Sequence, residues 1–214
     1  HNRVRRQRQM CIRDSYDPSF DVVTNDLQIY VPVLEKSTIV FDLQMSDAIV
    51  KKKGETNLEI LKAQNGFNNC GGNAACEQNA TNLANTQLMI NTNGTSTFLG
   101  GGDRLRAYPQ GRFQGAHMLY FATEIRWNFS ESGGGQFDSL FFQDLVDDMQ
   151  VAFFYENGSI SEEKSDLGKI SKSSYGTGFR LVNASGNIYR ADLASGDEGT
   201  NFTLIIQYPW TYRL

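Results

Sequence analysis

Apolar and polar residues alternate with a period of two in seven separate stretches of this chain, the mark of half-buried β-strands. In residues 26–33, Leu27, Ile29 and Val31 alternate with Asp26, Gln28 and Tyr30, and Pro32 falls near the end, where a lost ladder bond costs least. Residues 37–50 set Ile39, Phe41, Leu43 and Met45 against Asp42, Gln44 and Ser46, after the short polar turn 34–37, so these two strands form a hairpin. In 116–129, Leu119, Phe121, Ile125 and Trp127 oppose Tyr120, Glu124 and Arg126. The same alternation recurs in 150–158 (Val151, Phe153, Tyr155 against Glu156) and 174–183 (Tyr175, Phe179, Leu181 against Arg180). It appears again in 188–194 (Tyr189, Ala191, Leu193 against Arg190, Asp192) and 201–210 (Phe202, Leu204, Ile206, Tyr208). Short turns join most of these strands, so the pattern predicts an all-β, antiparallel up-and-down meander and not βαβ units.

Two connections break the rhythm. Residues 51–115 form one very long link, a length that tends to be functional in a compact domain. A short helix is expected near Glu55–Gln64, and the link ends in GGGDRLRAYPQGRFQG, rich in glycine and arginine. Residues 130–148 hold a glycine run and then Leu140, Phe141, Leu145 and Val146, spaced for one face of a short amphipathic helix.

Periodicity alone does not say whether the apolar face packs on a second sheet or meets lipid. Three features favour lipid. The strands approach the 9–11 residues of a tilted membrane strand. Aromatics stand near strand ends (Tyr30, Trp127, Tyr155, Tyr208, Trp210), as in interfacial girdles. The charged face, with Asp42, Glu124, Arg126, Glu156, Arg180, Arg190 and Asp192, mixes arginines with acids and so suggests paired, partly buried charge. No window approaches the apolar length of a membrane helix, which leaves a barrel open. The net charge of −4 argues against nucleic acid as a partner.

The first fifteen residues, HNRVRRQRQMCIRDS, are basic and aperiodic and lack the apolar core of a secretory signal. A transit peptide is one reading; translated sequencing-adapter read-through, a non-native segment, fits better. Cys11 is therefore set aside. Cys70 and Cys76, in C-x5-C spacing with glycines between them, suit zinc poorly and suit a disulfide in an oxidising compartment; in the cytosol they would be unpaired thiols.

Catalysis has little to stand on. His117 opens a strand with no nucleophile placed by motif, and Gly100–Gly102 lacks the Lys-Ser/Thr of a phosphate loop. Asp144, Asp147 and Asp148, Glu162 and Glu163, and the run Gly196–Gly199 read as solvated turns, not as a metal site. Neither an enzyme nor a cofactor is expected.

LRAYPQGRFQG resembles the lumenal loop motif of the BamA/TamA-type outer-membrane assembly factor (bacterial surface antigen) superfamily, V/L/I-R-G-F/Y followed by a Pro-x-G-R-F-x-G run. Its counterpart here is Leu105, Arg106, Ala107 and Tyr108; Ala107 replaces the usual glycine and narrows the freedom to adopt φ > 0. FYENG is similar to the family's F-x-D-x-G strand motif, and ATEIRW, YGTGFR, RADLASGDEG and a terminal YPW follow the family order.

The resemblance covers roughly residues 20–210. It implies a transmembrane β-barrel, of which residues 16–210 are the C-terminal part, about seven strands of sixteen, with loop 51–115 folded toward the lumen. It implies that Arg106 pairs with wall acids, Glu156 first and Glu124 second, with Tyr108 and Phe113 packed beside it; a solvated loop arginine is the plainer alternative. It implies the bacterial outer membrane as location, outer-membrane lipid as surroundings, and substrate outer-membrane proteins or periplasmic accessory proteins as partners. The implied function is assembly, insertion or translocation of outer-membrane proteins. A membrane-anchor barrel of a patatin-like phospholipase and a passive structural pore are the alternatives.

Overall fold

A computed structural model describes residues 3–5, 17–128, 148–182 and 188–207. One antiparallel sheet runs through it in strict chain order: β1 (Arg3–Arg5), β2 (Ser19–Leu34), β3 (Ser37–Lys52), β4 (His117–Asn128), β5 (Asp148–Ser161), β6 (Lys172–Val182), β7 (Ile188–Gly196) and β8 (Gly199–Gln207). Each of the seven periodic stretches is a strand. β2 begins at Ser19, before its alternation becomes regular, and β1 is a three-residue strand whose backbone pairs with Val22–Thr24. Among the described residues β8 pairs only with β7, so the sheet does not close on itself.

Register places residues of like parity on one face. Asp42 lies opposite Ala122, Ala122 opposite Glu156, and Glu156 opposite Ser174. Arg126, Ala152, Gly178 and Asp192 form the next row but one. The face carrying the charges is the one that is covered from β3 to β8, while on β2 Asp26, Gln28 and Tyr30 of that face are exposed. Leu27, Phe41, Phe121, Ile125, Phe153, Tyr175, Phe202 and Leu204 stand on the other, and all are exposed. Trp127 and Tyr155 belong to that exposed apolar face. Tyr30 does not: it stands opposite Val40 on the polar face, with its hydroxyl donating to Gln28 Oε1 and the Arg126 guanidinium 5.8 Å from its ring. Tyr208, Trp210 and the helix expected around Leu140–Val146 lie outside the described residues.

The cover is the long connection between β3 and β4. It opens with α1 (Leu58–Gln64), continues through a 3-10 turn at Phe67–Asn69 into α2 (Ala74–Asn93), and then runs without regular structure to β4. The expected short helix is present; the twenty-residue α2 was not legible. Its sequence is rich in Asn and Thr, with no apolar stripe, and only Ala80, Ala84 and Asn91 are buried along it. Caps and tertiary bonds hold it. Asn73 Oδ1 accepts from Cys76 N, Gly94 at φ 74° ends the helix, and Asn91 Nδ2 donates to Glu55 O at 2.7 Å. Cys70 and Cys76 form a disulfide that ties the first turn of α2 to the segment before it.

The core lies between this connection and the polar face of the sheet. Leu99, Leu105, Ala107 and Tyr108 come from the loop; Met118, Tyr120, Ala122, Phe154 and Ala194 come from β4, β5 and β7.

Candidate functional site

Residues 94–116 cross the covered face as a compact irregular loop. Leu99 and Phe113 pair through both backbone bonds, at 3.0 Å each, and close the loop at its neck. Gly100, at φ 100°, is required there, because a Cβ would lie 2.3 Å from the carbonyl oxygen of Pro109. The glycine run thus serves close chain approach; Gly102 O accepts from Arg190 Nη2 of β7 at 2.9 Å. Tyr108 and Phe113 meet edge to face, with centroids 5.0 Å apart.

Arg106 is the centre of this arrangement. Its backbone N–H donates to Glu156 Oε2 at 2.7 Å and its Nε–H to Glu156 Oε1 at 2.8 Å. Nη2 donates to Glu124 Oε2 at 2.8 Å, and Nη1 to Asp192 Oδ2 at 3.2 Å. The guanidinium carbon lies 3.6 Å from the centroid of the Phe154 ring, a close cation–π contact. The side chain is 6% exposed, and those of Glu124, Glu156 and Asp192 are 6%, 0% and 1% exposed. Its peptide neighbours are held too. Ala107 N–H donates to Ser174 Oγ, and Asn201 Nδ2 donates to Arg106 O. Tyr108 bridges Ser173 O and Asp197 N through its hydroxyl.

Three buried carboxylates facing one arginine would leave excess negative charge in a region of low dielectric, which is costly. The wall supplies the balance. Arg126 Nε and Arg180 Nη2 both donate to Glu124 Oε1, and Arg190 Nε donates to Asp192 Oδ2 at 2.6 Å. Tyr120 OH donates to Glu156 Oε1 at 2.9 Å, completing that carboxylate. Burial by itself disfavours charge on Arg106, but Glu156, Glu124 and Asp192 outweigh it, and its pKa is raised.

The floor beneath the guanidinium is built from small residues. Ala152, Gly176, Gly178 and Ala194 stand on this face of the sheet, and Gly176 leaves room for the Phe154 ring. A Cβ on Gly176 would stand 2.1 Å from Leu193 O and 2.7 Å from Phe154 Cζ. On Gly178 it would stand 2.3 Å from Asp192 Oδ1.

Leu105, Arg106, Ala107 and Tyr108 are thus all buried against the wall, and both expected acids contact Arg106. Asp192 is a third partner that sequence reasoning did not single out, although its parity put it on the same face. Ala107 does not take up the positive φ that a glycine would allow there. Among the described residues the one non-glycine with positive φ is Leu105, at 50°, so the alanine needs no unusual conformation. Its methyl instead faces Gly196, whose missing side chain leaves 3.0 Å between an ideal Cβ there and Ala107 Cβ.

The remaining candidates separate from this centre. His117 Nδ1 lies 2.7 Å from Asp47 Oδ1, and Lys164 holds the other oxygen of Asp47. Glu162 accepts from Asn93 Nδ2, and Glu163 is exposed. In the β7–β8 turn, Asp197 pairs with Lys172, and Glu198 makes a bidentate pair with Arg112 at 2.8 and 2.9 Å. The side chains of Asp144, Asp147 and Asp148 lie outside the described residues. Among those described, no group of three or more His, Cys, Asp or Glu is placed to hold a metal ion.

This geometry does one thing chemically: it fixes a long loop to the polar face of a sheet through a charged centre that draws on β4, β5 and β7. No family model matches the chain, and no curated protein matches it.

Proposed function

We propose that this chain forms part of an outer-membrane β-barrel of the BamA/TamA-type surface antigen superfamily, acting in the insertion or translocation of outer-membrane proteins. The observation that carries the reading is the inverted dressing of the sheet. From β3 to β8 its charged face is covered by its own loop, while its apolar face, from Leu27 on β2 to Leu204 on β8, is bare. A water-soluble protein rarely exposes a contiguous apolar patch beyond a few hundred Å². Acyl chains are the natural solvent for such a face, and a polar, confined lumen is the natural place for the other. The superfamily resemblance of LRAYPQGRFQG, and of the strand motifs that follow it in order, supplies the specific function.

Within this reading the loop is a lumenal element tethered at Arg106. The outer edges of the sheet, unpaired among the described residues, belong in this reading to a larger closed barrel, because an open edge has no partners in lipid. The full-length protein should fractionate with outer membranes and migrate faster on gels before heating than after. A product that stays soluble would sink the barrel. Depletion of the protein should lower the yield of newly inserted barrels; unchanged insertion would refute the assembly role and leave the fold standing.

A further inference from the structure

We propose that Leu105 is the positioning residue of the loop: its side chain, seated in the notch left by Gly158, fixes a left-handed turn that aims Arg106 at the wall. The proposal rests on the reading that the docked loop is the working state.

Arg106 and Ala107 both direct their backbone N–H groups at the wall, to Glu156 Oε2 and Ser174 Oγ. An extended chain alternates its N–H directions and does not give this. A turn does: Tyr108 N–H closes onto Leu105 O at 3.0 Å with Arg106 and Ala107 at its centre, and Leu105, at φ 50°, enters it and sets the direction of the peptide that carries Arg106 N–H. That turn also lets one arginine place its backbone N–H and its Nε–H on the two oxygens of a single carboxylate.

Leucine is a poor residue for this backbone, since its Cβ crowds the carbonyl in the left-handed region. Nine other described positions have positive φ, and every one of them is glycine. Glycine at position 105 would relieve the strain, so the side chain must supply what the backbone does not. It is fully buried, and an ideal Cβ on Gly158 would lie 3.2 Å from Leu105 Cδ1 and 2.5 Å from Leu99 Cδ1. The two leucines fill one notch from the loop side, but only Leu105 enters the turn.

The test uses full-length protein in detergent micelles, labelled with 15N-arginine. The probe is hydrogen exchange at Arg106 Nε–H, with its signal assigned by Arg106→Lys. Wild type should show a protected signal; its absence would overturn the docked loop and this proposal together, whatever gel migration says of the barrel. Leu105→Met, which refills the notch, should keep protection within about twofold. Leu105→Gly and Leu105→Ala should exchange at least about tenfold faster while migration stays heat-modifiable. Leu99→Ala, which opens the same notch away from the turn, should stay within about threefold. A glycine variant as protected as wild type would overturn the role of the side chain. An equal loss in Leu99→Ala would assign it to notch packing alone and overturn the role of the turn. Should the glycine and alanine variants not assemble, Leu105→Val is decisive. Its branched Cβ resists the left-handed region, so protection should fall about tenfold with the notch still largely filled; unchanged protection would overturn the proposal.

Discussion

Arg106 meets Glu156 twice, through its backbone N–H and through Nε–H, on the two oxygens of one carboxylate that is itself fully buried. The pair therefore fixes the course of the main chain as well as the direction of the side chain. Removing one member of a buried pair leaves uncompensated charge, at a cost of about 3–5 kcal/mol. Arg106→Ala should lose about that much, seen as a lower denaturant midpoint for unfolding of the full-length protein. Because the two residues share one contact, Arg106→Ala and Glu156→Ala should be non-additive by about 0.5–3 kcal/mol. Additive losses would mean that the contact contributes nothing.

The floor of the site makes a steric prediction. Gly176→Ala places a methyl against the Leu193 carbonyl oxygen and the Phe154 ring. Carbonyl oxygens of a strand ladder cannot withdraw without breaking it, so overpacking of about 1–3 kcal/mol is expected. Arg106 should lose protection with the ring that supports it. A Gly176→Ala protein with wild-type melting would show that the wall relaxes more easily than its geometry implies.

At the rim the effect should follow pH. Arg112 holds the Glu198 carboxyl below its ordinary value of 4.5, chiefly by hydrogen bonding. A depressed folded-state pKa means that the contribution is present above the ordinary value and is lost as pH falls through the folded one. Both side chains are open to solvent, so the change is local. A fluorophore on the loop tip should gain mobility in acid below pH about 4.5, and also at neutral pH in Glu198→Gln. Mobility that does not change with acid would show that the clasp does not hold the tip.

Reduction of Cys70–Cys76 should stay outside the sheet. The bridge spans six positions and ties α2 to the preceding turn. A loop of that size is worth about 2 kcal/mol in chain entropy. Dithiothreitol or Cys70→Ser should increase amide exchange in α1 and α2 and leave heat-modifiable migration unchanged. Loss of the folded band on reduction would show that the helical segment supports the strands.

The strands were legible because alternation is dense in this chain: Leu27, Ile29 and Val31, or Phe202, Leu204 and Ile206, leave little doubt about parity. The faces were legible for the same reason, and so was the side on which Glu124 and Glu156 would wait for Arg106. Tyr120 is legible on the polar face, but Phe154 is not, because a face read as charged hides the ring that lies under the arginine. Asp192 was missed because the loop motif points to no third acid. α2 was invisible because its helix is held by Asn73, Gly94 and Asn91 and not by propensity or an apolar stripe. The left-handed turn at Leu105 had no signal, since glycine is the residue that usually announces one.

Arg106 has one further consequence, for strand alignment. Its acids come from β4, β5 and β7, Ala107 reaches Ser174 on β6, and Asn201 on β8 caps its carbonyl. A slip of one residue in any of these strands turns its contribution to the opposite face, and a slip of two carries it about 7 Å along the strand. Either error leaves a guanidinium or a carboxylate without its counterpart. The loop can therefore seat only on five strands that are all in register, so that one side chain acts as a proofreader for the alignment of most of the sheet.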